Sequence, residues 1–220
     1  MLEMLRDIPL FSGLNNNYLH KIVEECTVSN YSAGTLLFRE NEVGTVLYLI
    51  VSGAVKIYSS NANGEDKILS IMSKGDCFGE LSLLDGKPRS ATAQVIEDTK
   101  VLTLSSKSFH SLLQYNFEMA LHIIKDLSAR LRETNQQVHD LTYLDARKRV
   151  IKNLVKLAND YGTRNGNYVR FKINLNYDDI AQMAGVTKPL LFQVFNELQM
   201  KGILAVSTSE FVLHLSKMKL

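Results

Sequence analysis

The 220 residues carry 25 Lys and Arg against 23 Asp and Glu, for a formal net charge of +2, and 45% of them are hydrophobic. That length suggests one large or two modest domains, each with apolar content for a core, and three prolines without a low-complexity tract leave little room for disorder. No apolar run reaches the length of a membrane span, the start does not read as a signal peptide, and two cysteines (Cys26 and Cys77) are too few for a four-Cys cluster, so reduced thiols in the cytoplasm are expected. The charge is uneven. Residues 1–144 hold 13 basic and 17 acidic side chains, −4, whereas residues 145–220 hold 12 and 6, +6. The basic third is where a nucleic-acid-binding module is expected.

Asn15 to Cys26 reads as a short amphipathic helix with Leu14, Leu19, Ile22 and Val23 inward. From Val28 to Leu104 the text changes to short apolar or alternating runs punctuated by Gly: 35–38, 46–51, 54–58, 68–72, 91–96 and 101–104. Asn63-Gly64 is a hairpin signal, since both residues tolerate positive φ. Short strands at this spacing predict an antiparallel barrel or sandwich.

One stretch inside that region fits neither strand nor long helix: Phe78-Gly-Glu-Leu-Ser-Leu-Leu-Asp-Gly-Lys-Pro-Arg-Ser-Ala-Thr-Ala93. Gly79 frees the backbone for a close approach. Leu81, Leu83 and Leu84 anchor a short helical turn, and Asp85-Gly86 with Pro88 supply turn chemistry. Free amides at the start of that turn, with Arg89 tethered nearby, suit an anionic group. Glu80 would repel phosphate alone, but makes sense against a ligand that also carries a hydroxyl, as a ribose does. Arg89, nine residues on, is its candidate partner within the stretch.

Ser106 to Tyr115 predicts a short helix and Phe117 to Leu144 a long one without Gly or Pro. Its apolar seam runs Phe117, Ala120, Ile124, Leu127, Leu131, Thr134, Val138 and Leu141, alternating threes and fours. Such a helix is about 42 Å long, too long to pack on one small domain, and reads as a parallel coiled coil in a homodimer. Thr134, with Asn135 beside it, breaks the seam. Either it fixes register in the coiled coil or it bonds a ligand held there.

Asp145 caps a further helix, Ala146 to Tyr161, which Gly162 stops, and 168–175 alternates like a strand. Asn176 then caps a helix with Asp178 and Asp179 in its first turn, Ala181 is small where two helices cross, Gly185 turns the chain, and Thr187 caps a second helix with Val194 and Leu198 inside. This is helix-turn-helix spacing, followed by a hairpin wing at 203–206 and 211–215.

The Phe78–Ala93 string resembles the phosphate-binding cassette of the cyclic-nucleotide-binding domain. With the long helix and the winged helix-turn-helix, the whole chain resembles the CRP/FNR (catabolite activator) family of transcription regulators. The resemblance implies an α+β fold: a cyclic-nucleotide-binding antiparallel β jelly-roll at 1–116, a dimerisation helix at 117–144 and a winged helix-turn-helix DNA-binding domain at 145–220. By the same likeness, Glu80 takes the ribose 2′-hydroxyl and Arg89 the cyclic phosphate, with Gly79, Leu81 and Ser90 in the same motif. Thr134 and Asn135 contact the base, one from each chain. Ile57, Leu69 and Met72 match positions that wall the base, and are equally well explained as barrel core. The implied ligand is a cyclic nucleotide, cAMP first. The implied partners are a palindromic double-stranded operator, a second copy of the chain and, where transcription is activated, RNA polymerase.

The recognition helix departs from the family's Arg-Glu-x-x-x-Arg, carrying Lys188, Pro189 and Gln193 instead. Pro189 cannot read a base by hydrogen bond, and Leu190, Leu191 and Phe192 are apolar for a groove-facing helix. Thr187, Lys188, Gln193 and Asn196 remain as polar readers, with Asn176 at the first helix's cap. Two rivals stay open: DNA binding without a ligand or with a different small molecule, and nucleotide binding with a degenerate wing that contacts protein. No catalytic constellation is present, no metal is expected, and the five histidines show no ligand spacing.

Overall fold

The computed structural model describes residues 2–6, 8–11, 14–207 and 210–217. The chain divides into two compact units, Met1–Thr134 and Asn135–Leu220, each with its own sheet.

In the first unit, α1 (Leu2–Arg6) and a 3-10 turn (Pro9–Phe11) precede α2 (Asn16–Glu25). The Asn15 side chain caps α2 by accepting the Tyr18 amide at 3.1 Å. Leu19 and Ile22 are buried, and Leu14 and Val23 pack against the same cluster, as the periodicity predicts. The segment before α2 carried no readable period, being too short for one. Yet Leu5, Ile8, Leu10 and Phe11 are all buried in the core.

The sheet is antiparallel throughout: β1 (Cys26–Tyr31), β2 (Leu36–Phe38), β3 (Val46–Ser60), β4 (Asp66–Met72), β5 (Cys77–Phe78) and β6 (Thr92–Ser105). Its order is β1-β6-β3-β4, with β2 also on β6 and β5 also on β3. Separate strands at 46–51 and 54–58, and at 91–96 and 101–104, were expected; β3 and β6 instead run through each pair unbroken. The reason lies at Gly53. Its φ of 93° bends β3 without ending it, and a Cβ there would collide with Thr99 Oγ1. That buried hydroxyl accepts the Ala54 amide at 3.0 Å and donates to Glu97 O at 2.6 Å, and the β3–β6 register shifts between Ile50 and Val55.

Burial on both faces explains why these strands read as continuous apolar runs. Leu47 and Leu49 face one cluster with Leu102, Leu104 and Phe109, while Tyr48 and Ile50 face another with Val95 and Val101. Capped by Ser105, which accepts the Ser108 amide at 3.1 Å, α4 (Ser106–Tyr115) leads into α5 (Phe117–Tyr143). Met119 and Ile123 bury α5 against the first cluster, and Leu127 packs there too. Leu127 thus leaves the predicted seam for its own unit's core. The remaining seven-residue series, Phe117, Ile124, Leu131 and Val138, is 74%, 57%, 61% and 58% exposed.

The second unit holds α6 (Ala146–Tyr161), β7 (Gly162–Asn165), β8 (Tyr168–Lys172), α7 (Tyr177–Ala184), α8 (Lys188–Met200), β9 (Leu204–Ser207) and β10 (Glu210–His214). Asp145 caps α6 by accepting the Lys148 amide at 2.8 Å. Gly162 stops α6 as expected, but also opens β7, a strand too polar to be seen in sequence. The four strands form an antiparallel sheet, β7-β8-β10-β9, beside helices that bury Val150, Leu154, Leu191 and Val194.

Candidate functional site

The cassette is built where β5 ends. Gly79 adopts φ 83°, a short helix α3 (Leu81–Asp85) follows, and Gly86 ends it at φ 70°. Two backbone bonds fix Arg89: its amide donates to Glu42 O at 2.8 Å and its carbonyl accepts the Asn41 amide at 2.9 Å. The side chain turns inward and is 4% exposed. Nη1 donates to Gly79 O at 2.6 Å and Nη2 to Val46 O at 2.8 Å, while Cζ lies 4.2 Å from the Phe38 ring centre. The third donor, Nε, is buried and has no hydrogen-bond partner in the protein.

Two glycines make room for this guanidinium. A Cβ at Gly79 would stand 2.6 Å from Arg89 Nη1, and one at Gly44 would stand 2.8 Å from Arg89 Cζ and 2.5 Å from Ser82 Cβ. Gly44 is one of the glycines that punctuate the apolar runs, and its role here is to lack a side chain.

Glu80 is 2% exposed. Its Oε1 accepts from Arg130 Nη1 at 2.8 Å, and Arg130 Nη2 also bonds Cys77 O. Oε2 is buried with no partner. Burial pushes the Glu80 carboxyl above its ordinary value, and Arg130 offsets part of that rise. Arg89 was the partner suggested by sequence; Arg130, on α5, is the one in contact. A signal for it existed, because Arg130 and Thr134 are four residues apart on one helix face. The cassette therefore leaves two buried orphans of opposite kind, a cationic N–H donor and a carboxylate oxygen. A ligand carrying both an anionic group and a hydroxyl would satisfy both.

Other expected ligand residues are placed less closely. Ile57 and Met72 pack in the cluster that holds Phe78, whereas Leu69 is 38% exposed at a bulge of β4, between Ile68, which pairs with Tyr58, and Ser70, which pairs with Ile57. Leu81 and Ser90 are exposed. Thr134 is exposed on α5 and its hydroxyl donates back to Arg130 O at 2.9 Å. Asn135, also exposed, opens the second unit. Burial pushes the Cys77 thiol up to about 12 and the Cys26 thiol up to about 11, so neither is a ready nucleophile. Among the described residues no group of three or more His, Cys, Asp or Glu could hold a metal ion, and no helix is long and apolar enough to cross a membrane.

In the second unit Asn176 and Asp179 form a reciprocal capping box, with bonds of 2.8 and 3.1 Å. Asn176 is thereby occupied in starting α7. Thr187, Lys188, Pro189, Gln193 and Asn196 all lie on the exposed side of α8, opposite buried Leu191, Val194, Phe195 and Leu198. Lys188 Nζ is paired with Asp178 at 2.7 Å. Sequence reading passed over Arg149. Its guanidinium donates to Leu144 O at 2.9 Å, Ala184 O at 3.0 Å and Gly185 O at 3.0 Å, tying the start of α6 to the helix-turn-helix turn.

An antiparallel roll carrying this cassette is a cyclic-nucleotide-binding domain, and residues 28–116 match the family model of that description. Over 200 residues the chain is 30% identical to a CRP-like cAMP-activated global transcriptional regulator of Mycobacterium tuberculosis, covering 91% of this chain and 89% of that one. The chain belongs to the CRP/FNR family of transcription regulators. A solved CooA variant from Carboxydothermus hydrogenoformans is similar at 26% identity and TM-score 0.77, covering 90% of this chain and 88% of its own. The c-di-GMP-responsive global regulator CLP of Xanthomonas campestris shares the fold, at 19% identity and TM-score 0.79, covering 91% of this chain and 99% of its own.

Proposed function

We propose that this chain is a cytoplasmic, cAMP-responsive transcription regulator that binds a palindromic operator as a homodimer. The observation that carries this reading is the pair of buried orphans, Arg89 Nε and Glu80 Oε2, in one cassette. Arg89 Nε takes a phosphate oxygen of the cyclic nucleotide, and Glu80 takes the ribose 2′-hydroxyl. Residues 1–116 form the ligand domain, 117–144 the dimerisation helix and 145–220 the DNA-binding domain. Thr134 and Asn135 contact the base, and the exposed side of α8 enters the major groove. Nucleotide binding favours one arrangement of the two DNA-binding modules over another.

Relatives respond to different nucleotides by name, cAMP in one and c-di-GMP in another. The closed ribose phosphate of cAMP matches one donor and one acceptor; among the described residues Arg89 is the one buried cation, so a dinucleotide's second phosphate would meet none. Calorimetry with cAMP, cGMP and c-di-GMP tests this. Binding of cAMP tighter than both others supports it, and no binding of any cyclic mononucleotide overturns it.

A second reading rests on how well the cassette satisfies itself. Arg89 already bonds two carbonyls and Glu80 already bonds Arg130, so the chain binds DNA in one fixed state without nucleotide. Equal operator affinity with and without cAMP would favour it.

A further inference from the structure

The DNA-facing side of α8 offers an unusual set of groups. Within its first three turns the exposed residues are Lys188, Pro189, Phe192, Gln193 and Asn196. Pro189 lacks a donor, and Lys188 is held by Asp178 at the α7 side. Phe192, three residues from Pro189 and beside Gln193, is 38% exposed.

A single exposed aromatic is ordinary on a protein surface. This one is braced. Its ring centre lies 5.0 Å from that of Tyr177, which lies 6.1 Å from Phe195; Phe195 meets Phe211 at 6.3 Å, and Phe211 stacks on Phe171 at 5.1 Å. A chain of rings thus runs from the core of the second unit to the surface and holds Phe192 in place. A held apolar ring on a groove-facing helix has one complementary feature in the major groove, the 5-methyl group of thymine.

We propose that Phe192 is a specificity-determining residue that reads a thymine methyl in each operator half-site, with Tyr177 positioning its ring. This rests on the reading of α8 as the helix that enters DNA. It predicts half-sites with a required thymine at the base pair that Phe192 faces.

The test begins with selection of an operator from random DNA by the full-length protein with cAMP. Each selected thymine is then replaced singly by deoxyuridine, which lacks only the methyl, and affinity is read by fluorescence anisotropy. At one position in each half-site the wild type should lose about fourfold in affinity per methyl removed. Phe192→Ala should bind both DNAs alike at that position, so that the two changes are non-additive. Tyr177→Leu, which keeps an apolar side chain but loses the brace, should shrink the methyl effect.

Wild-type indifference to every thymine methyl overturns the proposal without recourse to any variant. An equal methyl effect in folded Phe192→Ala overturns it too. If the wild type selects no DNA at all, with or without cAMP, the failure lies in the DNA-binding reading itself.

Discussion

Arg89 braces itself on Gly79 O and Val46 O and leaves Nε buried without a partner in the protein, the donor proposed above for the nucleotide phosphate. Removing the guanidinium should therefore cost a nucleotide far more than a surface contact would. Losing one partner of a buried charge pair costs about 3–5 kcal/mol. Arg89→Leu should lower cyclic-nucleotide affinity at least about a hundredfold by calorimetry, and unchanged affinity would refute the cassette assignment. Gly44→Ala should act in the same direction with Arg89 intact, because the new Cβ displaces Cζ and Ser82. Glu80 supplies a pH signature. Its carboxyl is raised from 4.5, so the folded protein keeps that proton to higher pH than the unfolded chain does. The resulting stabilisation is full below the ordinary value and is lost as pH rises through the raised one. Glu80→Gln cannot ionise, so its stability advantage over wild type, from urea midpoints, should grow between pH 4.5 and 7; a constant difference would show that the carboxyl is not raised. Gly79, Glu80 and Arg89 were legible because turn chemistry and charge concentrate in one short string. Gly44 was not, because it reaches the cassette from a distant loop; Arg130 left only the indirect trace of its place one helical turn before Thr134 on α5.

At the level of elements, α5 has two apolar faces. One buries Met119 and Ile123 in its own unit, and the other exposes Ile124, Leu131 and Val138. Substitution on the outer face should leave the protomer folded and disturb only its pairing. Leu131→Asp and Val138→Asp are each expected to sediment as monomers, or as a much weakened dimer, with an unchanged helical circular-dichroism spectrum. Wild-type chains that sediment as monomers at micromolar concentration would remove the coiled-coil reading. The heptad was readable because long helices leave a periodic trace; the diversion of Leu127 into the core was not, since both destinations demand leucine. Strand limits were misread at Gly53 for a related reason. A glycine that bends a strand around Thr99 looks the same in sequence as one that ends it.

For the molecule as a whole, the boundary between the two units falls within α5, between Thr134 and Asn135, and the helix continues across it. Under the proposed reading, a ligand event near Thr134 would be passed along α5 toward its end at Tyr143. Replacing both Thr134 and Asn135 by Ala should weaken cAMP binding without abolishing it, since Arg89 remains. Operator affinity should lose its response to cAMP, and discrimination of cAMP from cGMP should fall with it. Anisotropy on a selected operator, with half-sites about 10–10.5 base pairs apart, measures this; full stimulation in the double variant would place the signal elsewhere.

Arg149 gives the end of that helix an unusual property. One planar side chain joins Leu144 O to the carbonyls of Ala184 and Gly185, so the peptide at the joint and the turn between α7 and α8 are parts of a single closure. Opening either one breaks Arg149 bonds that the other shares. The lifetime of that closure should govern how often a protease finds the chain open near 143–146. Arg149→Lys, which keeps the charge but not the three-way fork, should be nicked there many times faster while the β1–β6 sheet is left uncut.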